Sequence, residues 1–291
     1  MARHDILQVA EREGIGVRPR ILVGTILLLL VSLVGSACSR GDIDVSGRSP
    51  EGVVASRTPL SHPLEHIHGA AFDRATSAVI VATHNGAWWV NTVGTVSAAG
   101  DTRDDLMGFT VEQANRWLSS GHPGPDSAQP NPLGLIESRD QGRSWSAKSE
   151  SGIADFHTLA SRGDIVVGSS GSNQLNVSTD GGKTWGAGAT TQPTALVYAG
   201  VRLLAVTATG LSVSDDDAQS FLPLLSAPHP VLISAVGTNV WIAERDGTVS
   251  VSTDAGQTWT SKGIVTGLQS LAAVDDAKAV ALTAESILVL R

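Results

Sequence analysis

The chain contains a single cysteine, Cys38, among 291 residues. One cysteine excludes an intramolecular disulfide framework and a cysteine-based zinc ribbon. Charge is sparse as well, at 16% of residues against 42% hydrophobic. That balance excludes disorder over the whole length, because there is ample apolar surface to bury. Lysine is scarce, the formal net charge is -8 and the body shows no Lys/Arg cluster. The electrostatic footprint of a nucleic-acid-binding protein is therefore missing. Tyrosine occurs once, as Tyr198. In contrast, glycine is abundant at 31 and tryptophan reaches 7. This composition suits many short strands joined by tight turns better than a helical bundle. The length allows one large domain or two ordinary ones.

The first part of the chain reads as an address. Residues 1–20 are polar and carry Arg3, Arg12, Arg18 and Arg20, and Ile21 to Ala37 then form a 17-residue stretch without charge. A basic segment followed by an apolar one is the pattern of an export signal. It ends in Val34-Gly35-Ser36-Ala37-Cys38. Small residues before a lone cysteine resemble a bacterial lipobox, in which the cysteine is lipidated and becomes the mature N-terminus. An uncleaved N-terminal anchor is the alternative, at the short limit for a spanning helix. Either reading places the body outside the cytoplasm, on the outer side of the cytoplasmic membrane; in the first, the membrane is the partner through lipidated Cys38. Residues 1–37 are thus expected to be a targeting segment. Residues 38–61, rich in Ser, Gly, Arg and Asp without apolar periodicity, follow as lipidated Cys38 and a flexible tether. The folded body is expected over 62–291.

Within the body a motif recurs. Ser138-Arg-Asp-Gln-Gly-Arg-Ser-Trp145, Ser178-Thr-Asp-Gly-Gly-Lys-Thr-Trp185 and Ser252-Thr-Asp-Ala-Gly-Gln-Thr-Trp259 match S-x-D-x-G-x-[ST]-W in full. Ser214 to Phe221 is a fourth copy, with Ala218 for the glycine and Phe221 for the tryptophan. Such a segment reads as a hairpin turn. The aspartates Asp140, Asp180 and Asp254 accept backbone N–H bonds across it. Gly142, Gly182 and Gly256 supply a positive φ. Trp145, Trp185 and Trp259 open the next strand and pack between neighbouring sheets. Copies about 36–40 residues apart suit four-stranded blades. An all-β propeller of about six four-stranded blades follows, seven being compatible with a long insertion around Gly121–Pro132. The hairpins should join third and fourth strands. The last blade reads as one strand short, and a segment near the start of the body would close the ring and remove exposed edges.

These copies resemble Asp-box repeats, also called BNR repeats, which occur in β-propellers of sialidases, sortilin-type receptors and photosystem assembly factors. The resemblance implies a structural role for the aspartates.

Histidines give the remaining signal. Inner strands of the first three blades should begin near Glu65-His-Ile-His-Gly69, Asp104-Asp-Leu-Met-Gly108 and Asp155-Phe-His157, and second strands should end near His84 and His122. Period two puts His66 with His68, and Asp155 with His157, on one side of a strand. His66, His68, His84, Asp105, His122 and His157 are therefore expected on one face near the channel mouth, opposite the repeated hairpins. The later inner strands carry no matching set. Imidazoles with a carboxylate suit one transition-metal ion: Zn, Cu, Fe or Ni. Asp155, Asp104 and Glu65 are candidate partners for the second ring nitrogens. A metal-free polar pocket and plain structural hydrogen bonding are the competing readings.

The segments His66-x-His-Gly, Thr83-His-Asn-Gly, Asp105-Leu-Met-Gly-Phe and Asp155-Phe-His also resemble a group of exported bacterial Asp-box proteins labelled glycosyl hydrolases or sialidases, over about 62–291. A true sialidase is disfavoured, because no arginine sits at an inner-strand start to build a carboxylate-binding triad. A glycosidase-like or metal-dependent hydrolase would use Asp105 and Asp155 as its two carboxylates. The leading reading is a binding or assembly role with a protein or glycan partner and a His/Asp metal site. A scaffold of the assembly-factor type is the third.

Overall fold

The computed structural model describes residues 50–291 apart from residue 114. The leader and Cys38 lie outside the described residues. A short 3-10 turn, Pro50–Val53, leads into β1 (Val54–Pro59). Blade one is β2 (Ile67–Asp73), β3 (Ala78–Thr83), β4 (Gly86–Asn91) and β5 (Val96–Ala98). Blade two is β6 (Asp105–Gln113), β7 (Arg116–His122), β8 (Leu135–Ser138) and β9 (Ser146–Ser149). Blade three is β10 (Thr158–Arg162), β11 (Ile165–Ser169), β12 (Gln174–Ser178) and β13 (Gly186–Thr190). Blade four is β14 (Ala195–Ala199), β15 (Arg202–Thr207), β16 (Gly210–Ser214) and β17 (Leu222–Pro223). Blade five is β18 (Pro230–Val236), β19 (Asn239–Glu244), β20 (Thr248–Ser252) and β21 (Thr260–Ile264). Blade six is β22 (Ser270–Ala273), β23 (Ala279–Leu282) and β24 (Ser286–Leu290), completed by β1.

The protein is a six-bladed β-propeller, with every pairing inside a blade antiparallel. The inner strands β2, β6, β10, β14, β18 and β22 touch in succession, and β22 returns to β2. Closure is noncovalent. Pro59 lies opposite Ser286 and Arg57 opposite Leu288, so β1 covers the edge of β24. This alters the expected boundary. The stretch 38–61, read as tether, supplies the closing strand from Val54 onward, and the propeller begins before residue 62. Its low hydrophobicity has a simple cause, since an outermost strand needs backbone pairing more than apolar side chains; β1 is largely exposed.

The apolar core divides by seam. Ile80, Ala82, Leu106 and Trp117 fill the space between blades one and two, and Leu118, Leu135, Phe156 and Val166 that between two and three. Leu196, Leu203, Leu204 and Ile242 belong to the next two seams, and Trp241, Leu271, Val81 and Leu282 to the last two. Second strands are buried on both sides, β3 throughout. They read as continuous apolar runs for that reason.

All four repeated motifs join a third strand to a fourth. In the copy ending at Trp259, Ser252 Oγ donates to Asp254 Oδ1 at 2.7 Å and accepts from Gly256 N at 2.8 Å. Asp254 also accepts from Thr258 N and Thr258 Oγ1, at 2.8 and 2.6 Å. The same contacts recur around Asp140, Asp180 and Asp216. Bonds from the Thr258 hydroxyl and amide hold the Asp254 carboxyl down at about 2. The degenerate copy keeps the geometry because Ala218 accepts a φ of 67°. Trp145, Trp185, Phe221 and Trp259 each pack into a seam between blades.

Candidate functional site

Antiparallel order puts the start of each inner strand and the end of each second strand on one face, and the motif hairpins on the other. The side chains expected at the channel mouth occupy that first face along blades one to three. They form two groups rather than one.

The first group spans the seam between blades one and two. His68 lies in β2, His84 in the turn from β3 to β4, and Asp105 opens β6. His84 Nδ1 stands 2.7 Å from Asp105 Oδ2, and His68 Nε2 stands 3.3 Å from Asp105 Oδ1. The second approach lies outside hydrogen-bond geometry, so the buried Oδ1 has no hydrogen-bond partner among the described residues. The His68 and His84 rings meet edge-on with centroids 4.4 Å apart. His66 also meets His84 edge-on, with ring centroids 4.7 Å apart. Burial lowers the pKa of His68 in spite of the Asp105 charge, and the His84 and His66 rings push it the same way. This direction favours the neutral imidazole, the form that ligates metal.

Local backbone explains how these rings meet. The β2–β3 register shifts between Ile67 and Gly69, which makes His68 the extra residue of a bulge. Bulges re-aim a side chain. His66 adopts a φ of 51°. Left-handed backbone at a residue of this kind costs about 1–3 kcal/mol and persists where surrounding structure imposes it. Strict alternation, the basis for pairing His66 with His68, thus fails locally; both rings still converge on His84.

The second group spans the seam between blades two and three. His122 closes β7, and Asp155 and His157 lie just before β10. Asp155 Oδ2 is 2.8 Å from His157 Nε2 and 3.3 Å from His122 Nε2. His122 Nδ1 donates to Asn131 Oδ1 at 2.7 Å. Asp155 Oδ1 is buried without a hydrogen-bond partner among the described residues. The groups adjoin, because Asp105 and His122 are direct cross-strand partners. Gly121 makes this possible: at φ 135° a Cβ there would sit 1.9 Å from the Asp105 carbonyl oxygen.

Two expected outer partners take other roles. Asp104 is buried and accepts from Gly124 N at 2.8 Å, which anchors the insertion. Glu65 is exposed. Asn131 escaped the sequence reading, since nothing marks one amide within the insertion until the fold brings it to His122. The channel encloses about 520 Å³, the scale of a small-molecule site. It is lined mainly by apolar side chains, with His68, Met107 and His157 at the mouth. Tyr198 faces it under the Arg162 guanidinium, 5.1 Å from the ring, and burial raises its pKa.

Among the described residues, His68, His84 and Asp105 form the one group whose three ligand atoms lie within 4.8 Å of one another. Ligand atoms around a shared zinc-sized ion stand roughly 3.4 Å apart. Small ring movements therefore suffice.

The fold defines the class of this protein as the six-bladed β-propeller. No protein-family model and no curated protein matches the chain. Solved structures do. A gluconolactonase from Xanthomonas campestris aligns with TM-score 0.61 and 12% identity, over 83% of this chain and 92% of its own. YCF48 bound to D1 peptide aligns with TM-score 0.54 and 15% identity, over 81% and 95%. PorZ, a bacterial surface component of the type-IX secretion system of Porphyromonas gingivalis, aligns with TM-score 0.54 and 14% identity over 77% of this chain. This chain spans 30% of the length of PorZ. At such identities the likeness is one of fold.

Proposed function

We propose that the chain is an exported, lipid-anchored β-propeller of the Asp-box type that holds a transition-metal ion at His68, His84 and Asp105 and serves in binding or assembly. One observation carries the metal reading: two imidazoles and a carboxylate from two blades converge, one of them a histidine whose pKa desolvation lowers, around a carboxylate oxygen without a hydrogen bond. A desolvated carboxylate oxygen is costly unless a donor or cation meets it. Imidazole and carboxylate donors together suit Zn, Cu, Fe or Ni. The binding or assembly role is supported by the disc architecture and by two neighbours of this fold, one a secretion-system surface component and one described with a bound peptide.

The test is elemental analysis of the full-length chain, purified in detergent without a histidine tag or chelator. Stoichiometric metal in the wild type and its loss from this group in His68→Ala/His84→Ala, with folding intact, are expected. Protein that stays metal-free after incubation with each of the four ions overturns the reading. The anchor has a separate test. Cys38→Ala should move the protein from the membrane fraction to the soluble extracytoplasmic fraction; unchanged membrane association overturns lipidation as the tether.

A further inference from the structure

The group at the next seam repeats the first in its construction. His84 and His122 take matching places at the far ends of the second strands of blades one and two. Asp105 and Asp155 take matching places at the entry to the next blade's inner strand. In both seams an imidazole nitrogen meets that carboxylate, at 2.7 Å in the first and 3.3 Å in the second. In both, the other carboxylate oxygen is buried without a hydrogen bond. A third ligand comes from an inner-strand entry each time: His68 from the same blade as His84, His157 from the same segment as Asp155. Blade two has Met107 two residues after Asp105, where blade three has His157 two residues after Asp155. This accounts for the change of donor.

We infer that His122, Asp155 and His157 form a second metal site, separate from the first and adjoining it through the cross-strand pair Asp105–His122. Three features support it. His122 donates its Nδ1 proton to Asn131 Oδ1 at 2.7 Å, which fixes the ring and leaves Nε2 toward the carboxylate. An outer partner on the second nitrogen is how ligating histidines are oriented. As a result, Nε2 of His122 and Oδ2 of Asp155 face one another at 3.3 Å as two acceptors unless a cation or proton lies between them. Finally, His157 Nε2 approaches the same oxygen at 2.8 Å, so both imidazoles reach one carboxylate oxygen, although the group is more open than the first. The His122 and His157 side chains are 41% and 50% exposed, so an ion can reach both rings from solvent. The insertion between β7 and β8 acquires a purpose here, because it carries Asn131.

The proposal extends the reading of the first group without depending on it. The experiment titrates metal-free full-length protein in detergent with Zn²⁺ alone, counting ions bound per chain by elemental analysis and measuring affinity by calorimetry. Circular dichroism and thermal unfolding check that each variant folds. Two ions should bind the wild type, one should bind His122→Ala/His157→Ala, and one should bind His68→Ala/His84→Ala. Asn131→Ala should weaken one of the two ions by about 10–100-fold and leave the other unchanged. One ion in the wild type, unaffected by His122→Ala/His157→Ala, overturns the second site and leaves a proton between His122 and Asp155. One ion in the wild type, lost from His122→Ala/His157→Ala and kept in His68→Ala/His84→Ala, overturns the first site and supports the second. Should the double variant fail to fold, His157→Gln gives the same reading, since it removes an imidazole from a half-exposed position.

Discussion

Blades one to three and blades four to six are built alike and furnished differently. Each half has four-stranded antiparallel sheets, doubly buried second strands and apolar seams. At the channel mouth, however, the first half presents His68, His84, Asp105, His122 and His157, where the second presents Ala195, Val231 and Ser270 at its inner-strand entries. A residue needed to make a blade should recur in every blade. The imidazoles and carboxylates do not recur, so the fold does not require them. The residues that build the blades and those gathered at the mouth are therefore separate sets.

The strongest way to break that separation is through the seams. Trp117 fills the seam between blades one and two, against Trp89, Phe109 and Trp145. Trp241 fills the seam between blades five and six, beneath Lys262. Both are fully buried. Removing either to alanine should cost about 3–5 kcal/mol, measured by denaturant unfolding. A difference is expected on conservative change. Trp241 Nε1 donates to the Asp275 carbonyl at 2.7 Å, whereas Trp117 Nε1 has no hydrogen-bond partner among the described residues. Trp241→Phe should therefore be the more destabilising of the two by about 1 kcal/mol. A Trp117→Ala protein as stable as the wild type but unable to bind metal would tie the first seam to chemistry instead of stability.

The two sets of residues were not equally visible in the sequence. The repeated hairpins were legible because a turn's needs are local: Ser178, Asp180, Gly182 and Trp185 lie within eight residues and bond mostly to each other. Spacing then yielded blades, and the alternation of strand directions put the histidines on one face. The closing strand was not legible, since β1 pairs with β24 across almost the whole chain and needs no apolar pattern. Nor was the division of the histidines into two groups. It depends on the bulge at His68, on Met107 standing where an imidazole stands in blade three, and on Asn131 returning to His122. Those are consequences of long-range packing, which residue spacing along one chain does not encode.

The opposite face provides the smallest test, because its hairpins should be indifferent to anything done at the mouth. Asp254 has its carboxyl pKa depressed to about 2 from an ordinary 3.8 by the Thr258 hydroxyl and amide. A group whose folded value lies below its unfolded value adds stability that is complete above about 3.8 and lost as pH falls through about 2. Asp254→Asn removes the charge and with it this pH dependence. The wild type should lose melting temperature between about pH 4 and pH 2 more steeply than the variant, by a small margin because the Asp254 carboxylate is barely desolvated and solvent screens it. Metal content at neutral pH should be the same in both. Parallel melting curves across that range would mean the carboxylate geometry persists in the unfolded hairpin, and an altered metal content would mean the two faces are coupled through the blades after all.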